Sequence, residues 1–169
     1  MRIFIVGPMA SGKSTLGKKL SQTLNIHFID TDKEIEKKAG AEISWIFEVA
    51  GEKGFRERER EVLNKSINEE DVVISTGGGI VTEKDNRDLM ITKGKVVYLK
   101  TPLEVQLKRT EKDKKRPLLA KGNKKQILEA LKKERDPKYE EIADITIDQN
   151  GQKNRKTIIN EIIDKLSSE

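Results

Sequence analysis

The segment GPMASGKS, residues 7–14, follows the apolar run RIFIV (2–6) and leads into Leu16, Leu20 and Leu24, spaced four apart. It matches G-x-x-x-x-G-K-[ST] at every fixed position. A strand before it and an amphipathic helix after it, expected over 13–24, are the context that gives the pattern meaning. The backbone N–H groups of such a loop, with the helix N-terminus behind them, form a concave positive site for phosphates. Ala10, Ser11 and Gly12 present that backbone to a nucleotide. Lys13 reaches the β- and γ-phosphates, the Ser14 hydroxyl suits Mg²⁺, and Thr15 can bond the α-phosphate. Ala10 stands where many such loops carry glycine, and its Cβ narrows the backbone available there. The donor is therefore a nucleoside triphosphate.

The remaining pattern repeats strand and helix, as in a parallel sheet covered on both faces. Strands are expected at 2–6, HFID (27–30), DVVIS (71–75), KVVYL (95–99) and DITID (144–148). A last helix is expected over 156–167, where Ile158, Ile159, Ile162, Ile163 and Leu166 share a face. TPLE (101–104) reads as a helix start, with Thr101 as cap, Pro102 in the first turn and Glu104 completing a capping box. Residues 33–68 look like a helical insertion between strands two and three, and 111–125 like a charged loop around Arg116-Pro117-Leu118-Leu119. The fold class is thus α/β: a three-layer P-loop fold on a five-stranded parallel sheet, in one domain over 1–169.

Composition narrows the chemistry. With 169 residues the chain can bury a real core, although only 34% of it is hydrophobic and 37% is charged. Both signs of charge are interspersed, as on a solvated surface. The net charge of +5 suits an anionic small molecule. With 4% aromatic residues and no stacking motif, nucleic acid is not an expected partner. The absence of cysteine excludes disulfides, zinc–thiolate sites and thiol nucleophiles. MRIFIV is too short for a membrane span, so a cytoplasmic protein without a membrane partner is expected. High Lys and Glu content is also a thermophile's composition. His27 and Trp45 belong to no motif and read as structural.

The acceptor is sought where ligands of open parallel sheets bind, beyond the strand carboxyl ends. Asp30-Thr31-Asp32 follows strand two, and Gly77-Gly78-Gly79 follows strand three. Residues two apart in extended chain face the same way, so Asp30 and Asp32 can share a site although the chain bends there. Both also suit a helix N-terminus. Three glycines allow backbone to approach a ligand closely. A GTPase would need Asn-Lys-x-Asp, and Asn64-Lys65-Ser66-Ile67 lacks the aspartate. A small-molecule kinase fits best.

These motifs resemble, in order and over nearly the whole chain, the shikimate kinase family: GPMASGKST, DTD (30–32), FRERE (55–59), GGG (77–79), Arg116-Pro117-Leu118-Leu119, and Arg135 before PKY. The resemblance implies transfer of the ATP γ-phosphate to the 3-hydroxyl of shikimate with Mg²⁺; a monomer is expected. It implies that Asp30, with Ser14, lies on the metal side, and that Asp32 bonds the acceptor hydroxyl and takes its proton. Arg56 and Arg135 match the positions that bind the substrate carboxylate, Glu59 can hold Arg56, and Phe47 and Phe55 form walls beside the carbon ring. Gly77, Gly78 and Gly79 line the same pocket. Segment 111–125 matches the lid, bringing Arg116 onto the transferring phosphate, with Lys13 and Asp32 as its catalytic companions. Arg109 matches the residue that stacks on adenine, opposite a position near Asn154 that is often proline in relatives. Another P-loop kinase, of gluconate or a nucleoside monophosphate, remains an alternative, as does a non-catalytic nucleotide-binding module.

Overall fold

The computed structural model describes residues 1–113, 116–119 and 122–168. Five strands, β1 (Arg2–Val6), β2 (His27–Asp30), β3 (Val72–Ser75), β4 (Lys95–Lys100) and β5 (Ile145–Asp148), form one sheet in the order β2-β3-β1-β4-β5. Every pairing is parallel. Among the described residues, seven α-helices accompany them: α1 (Lys13–Leu24), α2 (Thr31–Ala39), α3 (Ile43–Ser66), α4 (Lys84–Lys93), α5 (Leu103–Arg109), α6 (Lys124–Ile142) and α7 (Arg155–Ser167).

Two-residue alternation sorts the strand side chains onto two cores. Ile3, Ile5, Val73, Val97, Leu99, Ile145 and Ile147 meet α1 and α7 through Leu16, Leu20, Ile158 and Ile162. Phe4, Val6, Val72, Ile74, Val96 and Tyr98 pack on the other face against Leu63, Met90, Tyr139 and Ile142. A smaller cluster, Ile35, Ile46, Phe55 and Val62, joins α2 to α3. α1 lies very close to the sheet: a Cβ on Gly17 would meet Phe28 Cε2 at 2.9 Å.

Several elements depart from the sequence expectations. Strand β3 begins at Val72, β4 runs on to Lys100, and β5 begins at Ile145. Thr101 does not cap α5: its Oγ1 donates to Leu99 O at 3.2 Å, and Pro102 occupies the cap position without a side-chain bond. Thr101 is buried against the sheet edge, so its hydroxyl bonds back to the strand it has just left. Asp32 is not in extended chain, because the strand stops at Asp30 and Asp32 enters the first turn of α2. α3 breaks at Gly51, whose φ of 69° and ψ of −179° only glycine adopts without strain. Patterning alone does not delimit α6, since Pro137 lies inside it. Trp45, on α3, is 53% exposed. Among the described residues, no helix is long and apolar enough to cross a membrane.

Candidate active site

A cleft of about 950 Å³ opens along the sheet edge where the strands end. The P-loop forms its floor. Gly12 (φ 81°) and Ala10 (φ 64°) both take the left-handed conformation. For Ala10 this costs about 1–2 kcal/mol, so neighbours must hold the loop. Arg109 Nη1 donates to Ala10 O at 2.9 Å, and Gln106 Nε2 donates to Met9 O at 3.2 Å. Lys13 Nζ donates to Pro8 O at 2.8 Å, while Ser11 is buried beneath the turn. Burial lowers the Lys13 pKa to about 8, helped by Arg116 and Arg135 and opposed by Asp32 and Asp30. The ammonium is thus poised for an anion to restore its ordinary basicity.

Asp30 caps α2. Its Oδ1 accepts from Asp32 N at 3.0 Å and Lys33 N at 3.2 Å, and its Oδ2 accepts from Ser14 Oγ at 2.5 Å. A hydroxyl and a carboxylate, both hard oxygen donors, therefore meet at the start of the phosphate loop. No group of three or more His, Cys, Asp or Glu forms a metal cage among the described residues. That donor set fits Mg²⁺, which takes one or two protein oxygens and completes its shell with phosphates and water.

Asp32 lies two residues further on, in the first turn of α2, lining the cleft. Its Oδ1 is buried with no hydrogen-bond partner among the described residues. Burial and the neighbouring Asp30 hold its carboxyl above the usual range, against the pull of Lys13 and Arg56. An unpaired buried acceptor costs about 1–3 kcal/mol.

At the acceptor end, Arg56 Nη1 donates to Glu59 Oε1 at 2.8 Å, and Nη2 reaches Glu52 Oε1 at 3.3 Å. Burial works against the Arg56 charge, but Glu59 and Glu52 outweigh it and raise its pKa. Glu59 is fully buried, and that burial raises its carboxyl despite Arg56. Its Oε2 has no partner among the described residues. The break at Gly51 folds α3 so that the rings of Phe47 and Phe55 lie 4.8 Å apart, and Arg56 sits 5.2 Å over the Phe55 ring. Buried Arg135 approaches from α6, where Tyr139 OH donates to Gly78 O. Gly77 and Gly79 leave space for these side chains rather than adopting unusual φ: a Cβ on Gly77 would lie 2.8 Å from Asp32 Oδ1 and 2.9 Å from Glu59 Oε2.

The cleft thus gathers Ala10, Ser11, Gly12, Lys13, Ser14, Thr15, Asp32, Phe47, Phe55, Arg56, Glu59, Gly77, Gly78, Gly79, Arg109, Arg116 and Arg135. Asp30 stands behind Ser14 and is not a lining residue. Asn154 is not one either: its Oδ1 caps α7 by accepting from Thr157 N at 2.8 Å. Its neighbours Lys153 and Arg155, together with Gln149 and Ile158, line the cleft instead. No motif marks these four, although Gln149 is the first residue past a strand carboxyl end, where ligands gather. Arg116 Nε donates to Asp113 Oδ2 at 2.5 Å. Part of the expected lid, residues 114–115 and 120–121, lies outside the described residues.

Three comparisons bear on this geometry. The family model described as shikimate kinase matches residues 9–167. Shikimate kinase 1 of Pectobacterium atrosepticum is 49% identical over 167 residues, which cover 98% of this chain and 96% of that protein. The shikimate kinase of Acinetobacter baumannii in complex with shikimate superposes with a TM-score of 0.95 at 47% identity, covering 99% of this chain and 93% of that one. The Aquifex aeolicus shikimate kinase superposes with a TM-score of 0.86 at 42% identity, covering 99% and 96%.

Proposed function

The chain belongs to the shikimate kinase family, and on that premise we propose that its cleft transfers the γ-phosphoryl group of ATP to the 3-hydroxyl of shikimate. The observation that carries the reading is the buried, donorless Asp32 Oδ1, whose carboxyl feels the charge of both the phosphate-loop lysine and Arg56. A substrate hydroxyl is the donor that this oxygen lacks.

The residues divide the work. The loop from Ala10 to Thr15 cradles the phosphates, and Lys13 neutralises charge between the β- and γ-groups. Ser14 directly, and Asp30 behind it, would hold Mg²⁺. When bound there, Mg²⁺ offsets the phosphate charge and fixes the triphosphate's geometry. Arg56 and Arg135 bind the shikimate carboxylate, and the fork geometry of guanidinium suits that anion. Glu59 holds Arg56, while Phe47, Phe55 and the glycines shape the ring pocket. Asp32 orients the 3-hydroxyl and accepts its proton as the oxygen–phosphorus bond forms and the bond to the ADP leaving oxygen breaks. Arg116, from the lid segment 111–125, meets the charge that spreads over the transferring group. Arg109 stacks on the base, with the neighbourhood of Asn154 opposite. Residues 1–169 act as one domain, with 33–68 serving the acceptor. The reading includes a monomer in the cytoplasm with no nucleic-acid or membrane partner, and the low aromatic content supports the absence of nucleic acid.

The test is a panel assay with ATP, Mg²⁺ and, separately, shikimate, gluconate and nucleoside monophosphates. ADP release dependent on shikimate is expected. Turnover with another acceptor alone, or with none, overturns the reading.

A further inference from the structure

We propose that one buried water, held by Gln106, Arg135 and Asp136, ties the phosphate loop to the arginine of the acceptor pocket, so that Gln106 and Asp136 are positioning residues for the acceptor. The role of Arg135 rests on the functional reading above; the water site does not. A second cavity, of about 10 Å³, is lined by residues of the phosphate loop, α5 and α6. That volume is about enough for a single water. Gln106, Arg135 and Asp136 are among its walls. Each has a buried polar atom with no hydrogen-bond partner among the described residues: Gln106 Oε1, Arg135 Nε and Asp136 Oδ1.

The rest of each side chain is already fixed. Gln106 Nε2 donates to Met9 O at 3.2 Å. A carbonyl only accepts, so the amide nitrogen must face the loop and the oxygen is left over. Lys132 Nζ lies 2.7 Å from Asp136 Oδ2 and donates to Thr101 O at 3.0 Å. Asp136 is thus anchored through one oxygen and keeps the other. Arg135 is buried and lines the cleft as well as the cavity. A Cβ on Gly78 would lie 3.6 Å from its Nη1, which places that end of the guanidinium against the glycine wall of the acceptor pocket.

The three atoms select the occupant, since two are acceptors and one is a donor. A cation is disfavoured by the Arg135 Nε–H, and an anion by the Asp136 carboxylate and the Gln106 oxygen. An apolar group would leave all three unpaired. Water offers two hydrogens, for Gln106 Oε1 and Asp136 Oδ1, and a lone pair for the Arg135 Nε–H. A guanidinium is planar, so fixing Nε–H sets the plane in which its Nη donors meet a carboxylate. Through the water, that plane is tied to Gln106 and so to Met9 of the phosphate loop. Gln106 and Asp136 do not line the cleft themselves, yet they hold its donor and acceptor ends in register.

The direct test is a crystal structure of the wild-type protein at a resolution that shows ordered water. One water within hydrogen-bonding distance of all three atoms is expected. A dry cavity, or side chains that pair with one another instead, overturns the proposal. The kinetic test follows the KM for shikimate. Asp136→Leu and Gln106→Met should each raise it about three- to tenfold, the effect of one hydrogen bond, with a smaller change in kcat. Asp136→Asn keeps an acceptor oxygen and should stay near the wild-type KM. Both apolar variants remove the same water, so the double variant should be no worse than the poorer single one. A purely structural role would lower the melting temperature and leave the KM for shikimate alone. An unmoved KM, or two effects that multiply, overturns the proposal. Where Asp136→Leu does not fold, Gln106→Met and the crystal structure decide. Absence of shikimate-dependent ADP release by the wild type would instead overturn the functional reading, while the crystal structure would still test the water.

Discussion

A methyl group on Gly79 would sit 2.5 Å from Arg56 Cζ, so the guanidinium lies against backbone that only glycine leaves open. Gly77 stands in the same relation to Asp32 and Glu59. Alanine at the two positions should produce different kinetic defects. Gly79→Ala displaces the carboxylate-binding arginine and should raise the KM for shikimate about tenfold or more, with little change for ATP. Gly77→Ala displaces Asp32 and should lower kcat by about a hundredfold, since misplacement by an ångström has such an effect. Steady-state kinetics with each substrate varied separate the two; identical defects would contradict the assignment.

Asp32→Asn should cut kcat by about 10²–10⁴, the range for loss of a positioned base. The same change should stabilise the protein without substrates. Burial and Asp30 raise the Asp32 pKa in the fold. Its favourable contribution is therefore complete only below the unfolded pKa, and is lost as pH rises through the folded one. At pH 7 the neutral amide avoids that loss, and the melting temperature should rise. A lower Tm for the asparagine variant would show that the charge supports the fold.

Lys13, with a pKa of about 8, is half deprotonated near pH 8 before nucleotide binds. Triphosphate restores its charge, so ATP binding at pH 8 should take up about half a proton. Calorimetry in buffers of different ionisation enthalpy measures this uptake, and kcat/KM for ATP should fall above pH 8. Without ligand, the folded protein holds fewer protons on Lys13 than the unfolded chain between about pH 8 and the ordinary lysine range. Its contribution to stability should rise through that window. Buffer-independent binding heats at pH 8 would refute the shift.

Ala10→Gly should stabilise the fold by about 0.5–1 kcal/mol. Relief of the left-handed strain is worth about 1–2 kcal/mol, and the added freedom of the unfolded chain takes back about 0.4–1 kcal/mol. The urea midpoint reports the net effect. A lower midpoint would mean that the alanine methyl contributes packing that outweighs its strain.

Chelation with EDTA should abolish turnover, and added Mg²⁺ should restore it. Ser14→Ala should raise the Mg²⁺ concentration needed for half-maximal rate by about tenfold or more, because the remaining metal contact is through Asp30. Turnover that persists in EDTA would remove the metal from the reaction.

Much of this protein is written in short-range pattern. RIFIV followed by GPMASGKS specifies strand, loop and helix because alternation, loop glycine and a four-residue leucine spacing each act within a few residues. The parallel sheet follows from repeated strand–helix alternation, and the DTD and GGG segments are visible as candidates because they lie at strand ends. Thr101 shows the limit of such patterns: its local context specifies a cap, but burial against the sheet edge turns its hydroxyl to Leu99 O. Asp30 and Asp32 are similar, since only the start of α2 at Thr31 makes one the cap and leaves the other without a donor. The glycines at 77 and 79 look permissive of backbone, yet their role is to leave room for side chains from α2 and α3. Gln149, Lys153 and Arg155 carry no motif and join the cleft because the β5–α7 connection passes it. Backbone preferences are local and can be read along the chain, whereas burial and the pairing of distant side chains exist only after the sheet and its helices have closed on one another.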